Sequence, residues 1–233
     1  MDTLAIIPAR YASVRFPGKP LAPLTGPGGE SRPLIEWTWR AGVSALGAER
    51  VVVATDDERI AAAVRGFGGR VAMTSSAARN GTERCAEVVA AMDCPPDLVI
   101  NLQGDNPLVP PATVAALVDR FAAGGEVPMA TPFMTCDAAM QAALLDDHAR
   151  GLVGGTCVVA RADGTAAYFS KRPIPWGADA ALPLKLHIGL YAYRPAALRT
   201  YAALEPSPLE LAEGLEQLRF LDAGLPIALV EVP

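Results

Sequence analysis

Nothing in the 233-residue sequence is apolar for long enough to span a bilayer as a helix. Met1-Asp2 followed by a short apolar stretch is no secretory leader either, so a cytoplasmic location is expected. Cysteine and histidine are scarce. Cys85, Cys94, Cys136 and Cys157 form no C-x-x-C pair and no cluster with the two histidines, which argues against zinc and against a disulfide framework. Excess positive charge is missing too: the net charge of −5 speaks against nucleic acid as a partner, and any cationic site must be local. Neither Gly-x-x-x-x-Gly-Lys-Ser/Thr nor Gly-x-Gly-x-x-Gly occurs, so the two familiar nucleotide fingerprints are absent. There is no internal repeat and no low-complexity segment.

What is present suits one large α/β domain over residues 1–233, 51% hydrophobic and able to build a real core. Arginine far outnumbers lysine and alanine is abundant, as in proteins from GC-rich genomes. The chain is organised around its first loop. Leu4 to Ile7 reads as a buried strand that Pro8 ends by removing a ladder donor. Pro8 and Ala9 lead into a loop carrying Arg10, Arg15 and Lys19, with Ser13 and Gly18 between them. Three cations and exposed backbone amides where a strand hands over to a helix suit a polyphosphate. A solvated basic turn is the plainer reading.

Further along, Thr25 to Pro33 is a turn-rich surface loop, and Pro33 to Gly47 has helical periodicity. Strands at 50–54, 70–73 and 97–102 alternate with helices at 57–67, 82–92 and 111–123. That alternation predicts a Rossmann-like, open, mostly parallel sheet with helices on both faces, and ligands outside the carboxyl ends of its strands. From Val127 the pattern turns strand-rich, which divides the domain into parts 1–126 and 127–233. A short helix is expected around 138–145, and a hairpin at 156–170 on its Asp163-Gly164 signal. One strand follows at 185–193, with His187 and Tyr191 on its polar face. A single helix from Pro206 to Ala223 buries Leu211, Leu215 and Leu218, and a last strand spans 227–232.

Gln103-Gly104-Asp105-Asn106-Pro107 follows a buried strand. One carboxylate opposite a cationic loop suits Mg²⁺ carried by a triphosphate, although Asp-Asn-Pro is also good turn chemistry. Asn80-Gly81-Thr82 can cap a helix, and Arg79 adds a cation beside it. His187 alone would more often be structural.

The run Pro8-Ala9-Arg10-Tyr11-Ala12-Ser13-x-Arg15-Phe16-Pro17-Gly18-Lys19-Pro20 resembles the nucleotide loop of 3-deoxy-manno-octulosonate (Kdo) cytidylyltransferases, and the resemblance extends over nearly the whole chain. It implies CTP as co-substrate, Mg²⁺ on Asp105, and a nucleoside seat at Gly81 and Thr82 with Gln103 nearby. Tyr168-Phe169-Ser170-Lys171-Arg172, His187-x-Gly189-x-Tyr191 and Glu216-Gln217 resemble the family's acceptor segments. They imply an acceptor pocket of Lys171, Arg172, His187, Tyr191, Glu216 and Gln217. The resemblance further implies a homodimer joined through the strand-rich part.

Several positions depart from the family. Asn106 replaces a glutamate, Ala78 a histidine and Lys171 an arginine, and residues 148–157 lack an Asp-Pro-Asn-x-Val-Lys stretch. The sequence ends at Glu231-Val232-Pro233, ahead of a Gly-x-Asp-Thr segment whose aspartate is the family's second metal ligand. The function expected is transfer of CMP from CTP to a small anionic acceptor with release of pyrophosphate, catalysed by Arg10, Lys19 and Asp105. With Arg79 and Arg172 as added cations, a phosphonate such as phosphonoformate, in natural-product biosynthesis, is the acceptor expected first. Kdo, activated for lipopolysaccharide, is the second reading, and a non-catalytic CTP-binding relative is the third.

Overall fold

The structure is a computed structural model and describes residues 1–12 and 16–233. Seven residues, six of them buried, make β1 (Thr3–Ala9) an interior strand of the parallel half of the sheet. Its neighbours are β4 (Val51–Thr55) and β6 (Leu98–Leu102), both parallel to it and both fully buried. Such near-continuous apolar strands are what a sheet covered on both faces requires. Side chains of β1 alternate between the two cores. Leu4 and Ile6 join one with α3 (Gly81–Ala90), while Ala5, Ile7 and Ala9 join the other with α1 (Leu34–Leu46), α2 (Glu58–Gly66) and α4 (Pro111–Ala122). Ile6 and Ile7 are fully buried, each contributing roughly 1.5–3 kcal/mol.

The remaining strands are β5 (Arg70–Met73), β7 (Met129–Thr135), β8 (Thr156–Ala160), β9 (Ala166–Ser170), β10 (Lys185–His187), β11 (Leu190–Tyr193) and β12 (Ile227–Glu231). The sheet order is β5-β4-β1-β6-β11-β7-β10-β8-β9, with β12 parallel to β7 on its other side. The half built from β5, β4, β1 and β6 is parallel, and the half beyond it is largely antiparallel. Because β11 pairs with both β6 and β7, the two parts of the chain share one sheet. A bridge from Thr165 to Ala228 turns the β8–β9 hairpin back onto β12. A smaller core of Cys136, Leu144, Cys157 and Leu184 lies against α5 (Ala138–Ala149). Among the described residues no helix is long and apolar enough to cross a membrane.

Four expectations are corrected. Pro8 lies inside β1, opposite Ala54. Pairing to β6 ends at Ile6, so the ladder on that side has stopped before the proline. Residues 25–33 are not a plain loop but close a small hairpin of β2 (Pro23–Thr25) and β3 (Ser31–Pro33), with Trp37 donating to the Leu24 carbonyl at 3.0 Å. The strand expected at 185–193 is two strands broken at Ile188-Gly189. Both run along β7, with the register shifted by two residues across the break. On the far side β10 meets β8 while β11 meets β6, so the break is where the sheet forks.

The helix expected at 206–223 is likewise broken. α7 (Pro208–Glu213) opens with a capping box between Ser207 and Glu210 and closes at Gly214, whose φ of 62° is the left-handed conformation glycine adopts cheaply. Gln217 and then α8 (Leu218–Asp222) follow. Leu211 is therefore exposed rather than buried, whereas Leu218 is fully buried. An additional helix, α6 (Pro195–Ala203), begins on Pro195 and packs Ala197, Leu198 and Tyr201 inward.

The turns after β1 and β6 meet closely. A Cβ added to Gly104 would lie 2.6 Å from the Pro8 carbonyl oxygen, and the Gly104 carbonyl accepts from Thr38 Oγ1 at 3.1 Å. Backbone on both sides leaves no flexible atom to move aside. Gly104→Ala is expected to lower stability by about 1–3 kcal/mol in urea denaturation, as overpacking does. A midpoint equal to wild type would show that the two turns can separate.

Candidate active site

The carboxyl ends of β1 and β6 open into a cleft of about 770 Å³. Pro8, Ala9 and Arg10 form one wall, Gln103, Gly104 and Asp105 the next, and Asn80 and Gly81 at the head of α3 a third. The far end is closed by Tyr191 of β11 and by Gly214 to Gln217 between α7 and α8. Location at the strand ends follows from parallel pairing, which delivers successive loops to one edge.

At the mouth, Lys19 Nζ and Asp105 Oδ2 form an ion pair at 2.6 Å, both side chains about half exposed. Lys19 is placed by Gly18, which takes the left-handed conformation at φ 72° and donates its N–H to the Tyr11 carbonyl at 2.9 Å. The Tyr11 ring in turn lies 3.3 Å from the Arg59 guanidinium carbon, and Arg59 is held by Asp57. Asp57 is kept below the usual carboxylate range by its hydrogen bond from Arg59. Among the described residues no group of three or more His, Cys, Asp or Glu side chains could hold a metal by itself. A lone, accessible Asp105 beside a cation fits only a hard cation whose remaining ligands are phosphate oxygens and water, which is the usual setting for Mg²⁺.

Two donors in the first turn of α3 already have partners. Asn80 Oδ1 accepts from the Glu83 N–H at 2.9 Å, and Glu216 Oε2 from the Thr82 N–H at 3.2 Å. The Thr82 and Glu83 amides at the head of α3 are therefore not free to take a ligand. Gly81 is needed for close packing, since a Cβ there would meet Pro8 Cγ at 3.1 Å and the Gln103 amide at 3.3 Å.

Glu216 is the carboxylate deepest in the cleft. Its Oε1 accepts from Gln103 Nε2 at 3.1 Å, yet burial raises its pKa despite the bonds from Thr82 and Gln103. Gln217 is 1% exposed. Its Oε1 accepts from the Tyr191 hydroxyl at 3.2 Å, and its Nε2 is buried without a hydrogen-bond partner among the described residues. An unpaired buried amide at the wall of a cleft costs free energy unless something in the cleft accepts from it.

The structure thus brings together at one cleft Pro8, Ala9, Arg10, Lys19, Arg79, Gly81, Gln103, Asp105, Tyr191, Glu216 and Gln217. Thr82 stands just behind, with Oγ1 and the Tyr193 hydroxyl 3.0 Å apart. Ser13 and Arg15 lie outside the described residues. Arg79 lines the cleft but is engaged by Glu83 at 2.7 Å and Glu205 at 3.5 Å. Lys171 and Arg172 are exposed outside the cleft lining. Only the Lys171 ammonium approaches it, 2.9 Å from where a Cβ on Gly214 would be. His187 is not at the cleft. Its Nε2 lies 2.8 Å from Thr131 Oγ1, its ring packs between Phe169 and Tyr191, and burial lowers its pKa to about 3.

The sequence reading assigned no site role to Arg84, Gly214 or Leu215, which also line the cleft. Arg84 is buried, bonds Thr74 Oγ1 and the Ser75 carbonyl, and faces Asp56 at 3.4 Å. A charged residue in an Asn-Gly-Thr-Glu-Arg helix start was a signal, but its direction required the fold.

An open α/β sheet that sets Arg10 and Lys19 after β1 against Asp105 after β6 has the layout of a nucleotidyltransferase. The sequence matches the cytidylyltransferase family over residues 4–227, and the chain belongs to that family as a CTP-dependent enzyme. It is 45% identical to the 3-deoxy-manno-octulosonate cytidylyltransferase of Maricaulis maris over 99% of this chain and 88% of that protein. To the protein of the same name from Vibrio campbellii it is 44% identical, over 96% of this chain and 86% of that one. A solved structure of CMP:2-keto-3-deoxy-manno-octonic acid synthetase complexed with CTP superposes with a TM-score of 0.85 at 36% identity. The superposition covers 100% of this chain and 90% of that one.

The burial of His187 generates a prediction about pH. Below its ordinary value near 6.5 the unfolded chain binds a proton there and the folded chain does not until about 3. The contribution is therefore present above pH 6.5 and lost as pH falls, by about 2 kcal/mol on going from pH 7 to pH 5. His187→Gln is expected to shrink the pH 7 to pH 5 difference in unfolding free energy by that amount. An unchanged slope would place the titrating group elsewhere.

Proposed function

We propose that the enzyme transfers CMP from CTP to 3-deoxy-manno-octulosonate, releasing pyrophosphate. The observation that carries the acceptor side is Tyr191, Glu216 and Gln217 closing the cleft opposite the phosphate loop, with one buried amide still unpaired. The names and identities of the relatives support the same acceptor. A small phosphonate, the acceptor expected first from the sequence, loses its physical basis. Of the two added cations, Arg79 is neutralised by Glu83 and Glu205, and Arg172 is outside the cleft. A cleft of about 770 Å³ also has room for a nucleotide together with a sugar acid.

In this reading Arg10 and Lys19, with Arg15 and Ser13 of the same loop, hold the phosphates. Pro8, Ala9, Arg79, Gly81 and Gln103 surround the nucleoside with Thr82 behind them, and Asp105 would hold Mg²⁺, which would supply charge neutralisation to the phosphates. The acceptor's hydroxyls meet Glu216 and the Gln217 amide, and Lys171 stands at the rim for its carboxylate as a point charge rather than a bidentate fork. Attack on the α-phosphorus is direct, so rate comes from alignment and charge neutralisation. A cytoplasmic homodimer completes the proposal, with the exposed Leu145, Leu152 and Val153 near the end of α5 available to a second copy.

The test is pyrophosphate release with CTP saturating and either Kdo or phosphonoformate as acceptor. Kdo is expected to give the higher kcat/KM, and turnover of phosphonoformate with none of Kdo would overturn the assignment. Lys19→Ala should weaken CTP binding by about 10- to 100-fold, the worth of a charge-assisted hydrogen bond. Asp105→Asn should keep the fold and remove magnesium-dependent turnover, and retained magnesium dependence would move the metal site.

A further inference from the structure

The nucleotide side and the acceptor side of the cleft come from distant parts of the chain. One side is the head of α3, residues 80–82; the other is the turn 214–217 between α7 and α8. Arg219, the largest fully buried side chain among the described residues, lies behind both. Its Nε and Nη2 donate to the two oxygens of Glu210 at 2.6 and 2.7 Å, a bidentate fork. Its Nη1 donates to Glu83 Oε1 at 2.9 Å and to the Leu204 carbonyl at 3.3 Å. The guanidinium also stacks on Tyr201, 4.1 Å from the ring centre. Glu83 is in the first turn of α3, directly under Asn80, and Glu210 is in the capping box of α7. The Asn80 amide donates to the Tyr201 hydroxyl at 2.7 Å, a second link to the same cluster.

The two sides are anchored unequally. α3 packs on β1 and α6 and is pinned again through Arg84 to Asp56. The 214–217 turn is anchored mainly on its own side, where Glu213 accepts from Ser170 Oγ and the Lys171 N–H and Gln217 accepts from the Tyr191 hydroxyl. Its ties to the nucleotide side are Glu216 to Thr82 and Gln103 and, through the helices on either side of it, the joint that Arg219 makes between Glu210 and Glu83. We propose that Arg219 is a positioning residue which, by joining Glu83 to Glu210, registers Glu216 and Gln217 against the CTP seat. This inference rests on the acceptor reading given above. Loss of the fork would leave CTP bound and the acceptor misplaced, and misplacement on the scale of an ångström costs about 100-fold in rate.

The test uses the full chain with Arg219→Met and with the double variant Glu210→Met/Arg219→Met. Removing Arg219 alone strands a buried carboxylate and can unfold the protein, whereas replacing both partners by apolar side chains is tolerated far better. CTP binding by calorimetry counts the competent sites, turnover with Kdo is expressed per site, and amide exchange follows Thr82 and residues 215–217. Expected for the double variant are about one CTP per chain with Kd within about 3-fold of wild type, turnover per site about 100-fold lower, and a raised acceptor KM. Exchange at Thr82 and 215–217 should quicken while β1 and β6 stay protected. Wild-type turnover per site, or wild-type exchange at Thr82, would each overturn the proposal. Should wild type itself fail to use Kdo, the acceptor assignment falls, and the exchange comparison still decides the role of Arg219.

Discussion

Parallel pairing of β1 with β6 is the constraint on which the rest depends. It sends the turns after β1 and β6, far apart in sequence, to the same edge of the sheet, so that Gly104 packs against the Pro8 carbonyl and Lys19 reaches Asp105 across 86 positions of sequence. Cation and carboxylate are thus brought together by topology, before any ligand selects them. A side chain at residue 104 or a slip in the β1–β6 register would separate them. The apolar alternation of β1 prevents that slip, because a one-residue shift would exchange its two buried faces.

The parallel half was legible because its signals are local. Val51 to Thr55 and Leu98 to Leu102 are short apolar runs with polar residues at their carboxyl ends, and Asp57 and Asn80 are strong caps that do cap α2 and α3. The acceptor half was legible as residues but not as shape. Gly214 sits in a stretch whose leucine spacing reads as one helix, and nothing local says that it will turn left-handed and swing Glu216 into the cleft. His187 and Tyr191 share one face by alternation, but only the fork at Ile188-Gly189 decides that Tyr191 meets the cleft and His187 meets Thr131.

Cations were the least legible feature of all. A sequence shows charge but not whether it is already spent. Arg79, Arg84 and Arg219 are each engaged by carboxylates supplied from elsewhere in the chain: Glu205, Asp56 and Glu210. Counting arginines therefore overstated the positive field available to an acceptor. Among the described residues lining the cleft, Arg10 is exposed on the loop after β1, and Lys19 is paired with Asp105, a partner that is itself half exposed at the mouth.

The bridge between Thr165 and Ala228 bears on how the sheet could grow between molecules. Sheets with long unpaired edges invite strand addition by other chains. Here the hairpin end is folded back on β12, with Leu229 donating to the Gly164 carbonyl at 2.9 Å, so that margin is no straight template. The opposite margin is β5, only four residues long and opening on Arg70, whose guanidinium is turned to the Glu49 carbonyl. Short, charged and curled margins make strand pairing between molecules poor, so the ten-stranded sheet offers little edge for another chain to extend.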